Sequence, residues 1–572
     1  MGDALNSGVS GLMAHQKMLD ISGNNLSNMN TNGYKSSRVN FSDLLSESIR
    51  DASQPTDTLG GTNPLQVGSG VQVASIDRNM SQGTMNNTGQ PLDMAIEGSG
   101  FFVLNDGQAD VFTRVGAFSI DADYTLVDPS TGYRVQRTGS TGVAEGFQDA
   151  GSSAIRIPYD TALPATPTAE VTYTGNLSGD QIDPTTNKMT TGVSYLASNG
   201  NIISGTDSIF DSSMVSGAGP AGSVGGTIGT ISVTGSKADG TAVAFNVNIE
   251  DVDPPVTGDG VYSFDDLATR IQNEYQDGGG NDTVNVSIVN GEIRITDIES
   301  GYSLTDIQMT YADAAGGTAT TGDLPSYFQI LEAGGEAVKK TNIEIYDTQG
   351  VPHVLSGTFV KTDTPNTWDF VMTSVTGDVA GVSDRRVSGI SFNQDGSYAG
   401  IAGSGTPQIK VQLNGGLPDM EPLLDFGTVG EFNGLSQFGG SSTAAPTDQD
   451  GFEAGYLSSL SVSNDGTLVG VFTNGIRKDL ATLEVATFQN PAGLKSIGNN
   501  YFESTANSGD PSRGPALTGG AGSVRGGTLE SSNVVVATEF VNLIQAQNGY
   551  QANARTIRVA NDMLQELTNL IR

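Results

Sequence analysis

Side chains suited to acid–base or nucleophilic chemistry are sparse in this chain. It has two histidines, His15 and His353, and no cysteine, against 63 acidic and 27 basic residues among 572. A serine or threonine nucleophile needs a base within hydrogen-bond reach, and no pairing motif surrounds either histidine. His15 falls on a helical stretch, away from its apolar stripe, and reads as a surface or interface residue. Carboxylates are so abundant that spacing alone singles out no glycosidase-type pair. Calcium binding through oxygen ligands is the other chemistry to weigh, with Asp251–Asp259 and Asp121/Asp123 as candidate loops. Neither has the twelve-residue pattern with a central Gly and a terminal Glu, so solvated acidic loops are the simpler reading. Without cysteine, disulfides, thiolate metal sites and a cysteine nucleophile are excluded. No phosphate loop or dinucleotide fingerprint stands between a strand and a helix. The expectation is a non-enzymatic chain with no cofactor and no metal.

The elements at the two ends carry more information. Leu5, Leu12, Leu19 and Leu26 recur every seventh residue, with Val9 beside them. Leu543, Tyr550, Ile557, Leu564 and Ile571 do the same at the other end, with Phe540 beside them. A seven-residue repeat keeps its members on one stripe of an α-helix, because roughly 3.5 residues per turn is close to the natural pitch. Residues 4–29 therefore read as a helix, stopped by Asn30, Thr31, Asn32 and Gly33, the last suited to a left-handed cap. The final helix is expected to begin near Ser531, Ser532 and Asn533, which are good N-cap types. Polar Gln16, Gly23, Gln547, Asn561 and Thr568 interrupt the seams, as register-setting positions do. Such stripes must be covered, so the assembly residues are expected to be Leu5, Val9, Leu12, Leu19, Leu26, Phe540, Leu543, Tyr550, Ile557, Leu564 and Ile571. The simpler alternative is a helix hairpin that closes one domain.

Between the ends the pattern is strand and turn, in keeping with 76 glycines. Gly70–Ile76, Phe101–Leu104 and Phe112–Val127 alternate apolar and polar residues as half-buried strands do. Asn464-Asp465-Gly466, Asp395-Gly396 and Asn290-Gly291 mark tight hairpins. Pro158, Pro164 and Pro167 mark a boundary, and 213–229 reads as a Gly/Ser-rich linker. Residues 229–310 read as an inserted ββαββ module with Ser263 capping its helix. The formal charge of −36 lies mostly in the middle, which argues against nucleic acid as a partner. No run approaches the roughly 20 apolar residues of a membrane span, and no cleavable secretory signal is visible at the start.

The end segments also resemble a known family. Ser10-Gly11-Leu12, Asn24-Asn25-Leu26 and Gly33-Tyr34-Lys35 are similar to the N-terminal signature of bacterial flagellar rod, hook and hook-associated proteins. Leu529-Glu530, Ser532-Asn533-Val534 and Tyr550–Arg555 are similar to its C-terminal signature. Gly89–Leu104 and Asn490–Thr505 match the family's next layer, and Ala169–Gly179 and Thr341–Phe370 resemble the outer domain of its hook-type members. Ser27, Met29 and Tyr124 depart from the usual pattern, Tyr124 standing where a turn Gly is usual.

The resemblance implies a multidomain chain, mainly β in its outer domains, with paired N- and C-terminal α-helices as a coiled-coil-like inner domain. The expected division is 1–32 with 531–572, 33–75 with 506–530, 76–168 with 445–505, 169–212 with 335–444, and the insertion 213–334. It further implies a self-assembling homopolymer, a flexible tubular joint carrying motor torque from rod to filament. A distal rod or hook–filament junction component is the alternative. Implied partners are the distal rod protein, the junction protein, a hook cap during assembly and the flagellar type III export apparatus. Export would leave the N-terminus uncleaved and place the chain outside the cell.

Overall fold

The computed structural model describes residues 2–57, 59–180, 184–216, 227–250, 253–255, 258, 260–313, 321–402 and 405–570. The chain divides into two compact units, 1–163 with 455–572, and 164–454. Three α-helices are present among the described residues: α1 (Gly2–Ser27), α2 (Phe264–Glu274) and α3 (Val536–Leu570). All other regular structure among the described residues is strand apart from one short 3-10 turn.

The first unit pairs the two ends of the chain in its helices and in most of its β layers, the hairpin of Ser37–Asp43 and Val71–Arg78 being formed by the N-terminal part alone. Helices α1 and α3 pack on each other, and the strand Ser37–Asp43 pairs antiparallel with Val71–Arg78. Met94–Glu97 pairs with Ser523–Gly526, and Met85–Asn87 with Thr528–Glu530. Phe101–Asn105 pairs with Val485–Thr487, and Asp110–Thr113 with Tyr501–Glu503. The core beneath them is aromatic, with Phe101, Phe112 and Phe502 buried together and Phe488 edge-on to Phe101 and Phe112. Edge-to-face rings align a positive rim with a negative face, which fixes the angle between the two halves.

Several sequence expectations meet a different geometry. The long alternation of Phe112–Val127 breaks into Asp110–Thr113, Ser119–Ile120 and Leu126–Val127. Tyr124 takes the left-handed position of the last turn (φ 60°), and Asp121 Oδ1 accepts from the Asp123 and Thr125 N–H groups at 3.0 and 2.7 Å. Helix α3 starts at Val536 rather than near Ser531. Asn533 is occupied elsewhere: its Oδ1 accepts from Ser36 N at 2.8 Å, and its Nδ2 donates to Asn79 O at 2.8 Å.

Among its described residues the second unit has two cores. In one, Val338–Tyr346, Pro352–Lys361, Thr367–Val375, Arg386–Phe392 and Tyr398–Ile401 form a five-stranded sheet in that order. It buries Trp368, Phe359 and Phe370 against Tyr173 and Phe426. The other core contains the ββαββ order: Thr227–Ser236, Ala242–Glu250, α2, Val284–Val289 and Glu292–Asp297. Ser263 caps α2 in a reciprocal capping box with Asp266. Asn290 and Gly291 both have positive φ, as a type I′ hairpin turn requires. This core extends beyond 229–310: Asp306–Asp313 adds a strand beside Thr227–Ser236, and Lys188–Thr190 pairs with Glu292–Asp297. Tyr195, Ile203 and Ile209 are buried in the same cluster, so position 212/213 falls inside it. The Gly/Ser-rich 217–226 and Asp251 and Asp259 lie outside the described residues.

Candidate assembly interface

Helices α1 and α3 run antiparallel and meet through small residues. Gly8 faces Ile557, Gly11 faces Asn553, Gly549 faces His15, and Asn25 Nδ2 donates to Glu539 Oε1 at 3.1 Å. A Cβ on Gly11 would lie 2.7 Å from Asn553 Nδ2, and one on Gly549 would lie 2.4 Å from His15 Nε2. The backbones thus approach more closely than larger side chains permit. Ala14, Ser22, Ala546 and Ala560 are buried along the same line. Small residues three or four apart make one flat face, and that face forms the contact within the chain.

The larger apolar residues are consequently turned aside. Leu5, Leu12, Leu19, Leu26, Leu543 and Ile557 are half-buried, while Val9, Phe540, Tyr550 and Leu564 are exposed. Ile571 lies outside the described residues. Gln16 and Gly23, placed on the first seam with Val9, face solvent with it. Met13, Val541, Ile544, Val559, Met563 and Leu567 add further exposed apolar area, Ile544 at 57%. Residues 561–569 of α3 are all exposed. Two amphipathic helices that spend their small faces on each other leave their greasy faces for something else. Sequence reasoning missed Gly8, Gly11 and Gly549, whose spacing shadows the leucine repeat on the neighbouring face.

The base of the hairpin is clamped by buried polar groups. Asn25 Oδ1 accepts from Ser37 N at 3.0 Å and from Tyr34 Oη at 3.1 Å. Gly33, in the left-handed conformation (φ 68°), closes the end of α1 and donates its N–H to Glu530 O at 2.8 Å. Lys35 Nζ lies 2.7 Å from Glu530 Oε1, with side chains 2% and 0% exposed. Arg114 Nη1 stands 3.5 Å from Glu530 Oε2, and Gly83 N donates to Oε1 at 2.7 Å. Burial pushes Lys35 and Arg114 below their usual range, against the opposing pull of Glu530. One carboxylate therefore ties the exit of α1, the entry to α3 and the β core together.

The residues singled out for chemistry are engaged locally. His15 packs half-buried in the helix seam. His353 is buried in a hairpin of the second unit, with Nδ1 2.7 Å from Thr376 O and Nε2 3.5 Å from Asp347 Oδ2. Among the described residues no group of three or more His, Asp or Glu side chains converges as a metal site would require. No helix among them is long and apolar enough to cross a membrane.

Four family profiles match the chain. They are "Flagella basal body rod protein" over 5–35, "Flagellar hook protein FlgE/F/G D1 domain" over 95–178, "Flagellar basal body protein FlaE D2 domain" over 318–452, and "Flagellar basal body rod FlgEFG protein C-terminal" over 525–570. The flagellar hook protein FlgE of Borreliella burgdorferi is 30% identical, over 99% of each chain. That of Treponema pallidum is 29% identical over 100% of this chain and 99% of its own, and that of Escherichia coli 26% over 99% and 100%. A crystal structure of Helicobacter pylori flagellar hook protein FlgE2 covers 78% of this chain and 100% of its own, at 17% identity and a TM-score of 0.41.

Proposed function

The chain belongs to the flagellar hook protein family, and from that premise we propose how its ends build the polymer. It is a structural subunit of the bacterial flagellar hook, self-assembling into a flexible tube that transmits torque from rod to filament. The observation that carries our reading is the orientation of the terminal helices. Their small faces are used within the chain, and Phe540, Ile544, Tyr550 and Leu564 are left exposed for neighbouring copies. A contact between unlike patches, repeated by a screw operation, gives an open filament rather than a closed ring. Interlocked helices resist twisting, while polar outer domains slide as the tube bends.

The finer assignments belong to the same proposal. The expected five-part division is retained, with the module's boundary moved ahead of Lys188. The distal rod protein, the hook–filament junction protein, a hook cap and the type III export apparatus are the partners, the N-terminus passes out uncleaved, and catalysis has no part. The test is assembly of the purified full-length chain, followed by sedimentation and electron microscopy. Tubes are expected from the wild-type chain, and Ile544→Ser should abolish them while leaving the subunit folded. A full-length chain that stays monomeric at every concentration and salt level would overturn the reading. In cells, loss of the gene should remove the short curved segment and leave the rod.

A further inference from the structure

Beside the helix seam, α1, the strand Ser37–Asp43, the end of Val71–Arg78 and the first turns of α3 border an open cavity of about 610 Å³. Glu539 stands in its wall, 7% exposed. Its Oε1 accepts from Asn25 Nδ2 at 3.1 Å, whereas its Oε2 meets no donor among the described residues. A carboxylate oxygen withdrawn from water is destabilising until a donor reaches it. The chain's own nearby cations are directed elsewhere. Arg38 lies 3.9 Å from Asp77, and Arg78 sits over the Phe502 ring, 5.2 Å from its centroid. Met18, Ile21, Val39 and Val535 line it beside polar residues that include Arg38, Asp77 and Arg78. Apolar side chains beside a buried carboxylate suit a long aliphatic stem with a cationic head.

The terminal helices carry such side chains on their exposed surface. Lys17 has Asp20 within 3.9 Å. Arg555 and Arg558 are exposed and have no ion pair among the described residues. Arg558 has Asp562 four residues on, within reach along the helix. Arg555 has only Gln551, Ala552, Arg558 and Val559 at those spacings, so no acid of its own helix can answer it. Arg555 also cannot reach the Glu539 of its own chain. The two are sixteen residues apart on one helix, about 24 Å along its axis.

We infer that this cavity is a socket for Arg555 of a second copy, whose guanidinium pairs with the Glu539 carboxylate in its wall. The inference rests on the assembly reading and names one contact within it. Socket and arginine are different patches of the same molecule, so each copy offers both and the contact propagates along the assembly.

The test is seeded polymerisation of the full-length chain, with Glu539→Gln, Arg555→Glu, Arg558→Glu and the swapped pair Glu539→Arg with Arg555→Glu. Glu539→Gln and Arg555→Glu are expected to raise the critical concentration about tenfold, Arg558→Glu less than about threefold, and the swap should recover much of the loss. The swapped chain is judged only where its circular dichroism matches wild type. The absence of cysteine allows an independent readout. Asn542→Cys with Gln551→Cys, which leaves Arg555 in place, treated in assembled tubes with a short bis-maleimide, should give a ladder of linked copies, and either single cysteine variant should not. Arg555→Glu assembling at the wild-type concentration, Arg558→Glu matching its defect, or tubes without a ladder would each overturn the socket. A wild-type chain that never assembles would overturn the broader reading instead.

Discussion

Glu530→Gln is expected to loosen the first unit far more than an ordinary loss of an ion pair. Glu530 is fully buried between Lys35 at 2.7 Å and Arg114 at 3.5 Å. At an effective dielectric near 20 these attractions are about 6 and about 5 kcal/mol, before the desolvation of three charges is set against them. The net value of the intact cluster is therefore small, but removing its only anion strands two buried cations. That costs about 3–5 kcal/mol. Lys35→Met should cost less, because Arg114 keeps its counter-charge. Glu503→Gln is the control: its partner Lys495 is 64% exposed and Glu503 51%, so the change should stay below about 1 kcal/mol. Urea unfolding provides two readouts. The helical signal of circular dichroism is dominated by α1 and α3 of the first unit, with 26 and 35 residues against 11 for α2, whereas the one tryptophan, Trp368, lies in the second. The helical transition should move and the tryptophan transition should not. A helical midpoint no lower than that of Glu503→Gln, or two transitions shifting together, would refute the reasoning.

Three further perturbations have expected outcomes. Gly549→Val should force α1 and α3 apart, since a Cβ there already falls 2.4 Å from His15 Nε2; thermal melts should show a loss of about 1–3 kcal/mol. Gly23→Ala, with open space at its Cβ, should instead stabilise α1 by up to about 1 kcal/mol, and a loss there would contradict the packing described. Asp297 is buried with Oδ1 unpaired, and burial pushes its carboxyl up to about 6 from 3.8. Its folded value lies above its unfolded one, so the proton it holds stabilises fully below about pH 3.8, and that contribution is lost as pH rises through about 6. Asp297→Asn should therefore flatten the pH dependence of the second unit between pH 4 and 7 by on the order of 2 kcal/mol. Parallel wild-type and variant profiles in denaturant titrations would exclude this.

Local signals were legible in the residues because local physics produced them. The seven-residue repeats marked both terminal helices, and Asn290-Gly291, Asp395-Gly396 and Asn464-Asp465-Gly466 each stand between paired strands. A turn that needs positive φ announces itself in the residue types it tolerates. Strand edges were less legible. Within Phe112–Val127, Phe112 and Thr113 pair with Phe502 and Tyr501, hundreds of residues away, while Ser119–Ile120 pairs locally with Leu126–Val127. The module's outer strands were likewise chosen by a distant partner, as Lys188 with Thr296 illustrates.

Sequence alone thus determined that both ends are amphipathic helices, that the middle is strand and turn, and that charge is concentrated away from the ends. Tertiary structure decided which helix face turns inward. Periodicity defines a stripe but is silent on its partner, and here the closest backbone approach went to Gly8, Gly11 and Gly549 rather than to the leucines. It also brought Lys35, Arg114 and Glu530 together. Burying a charge is tolerable only where an opposite one arrives in register, and that register exists only after the two ends of the chain have met.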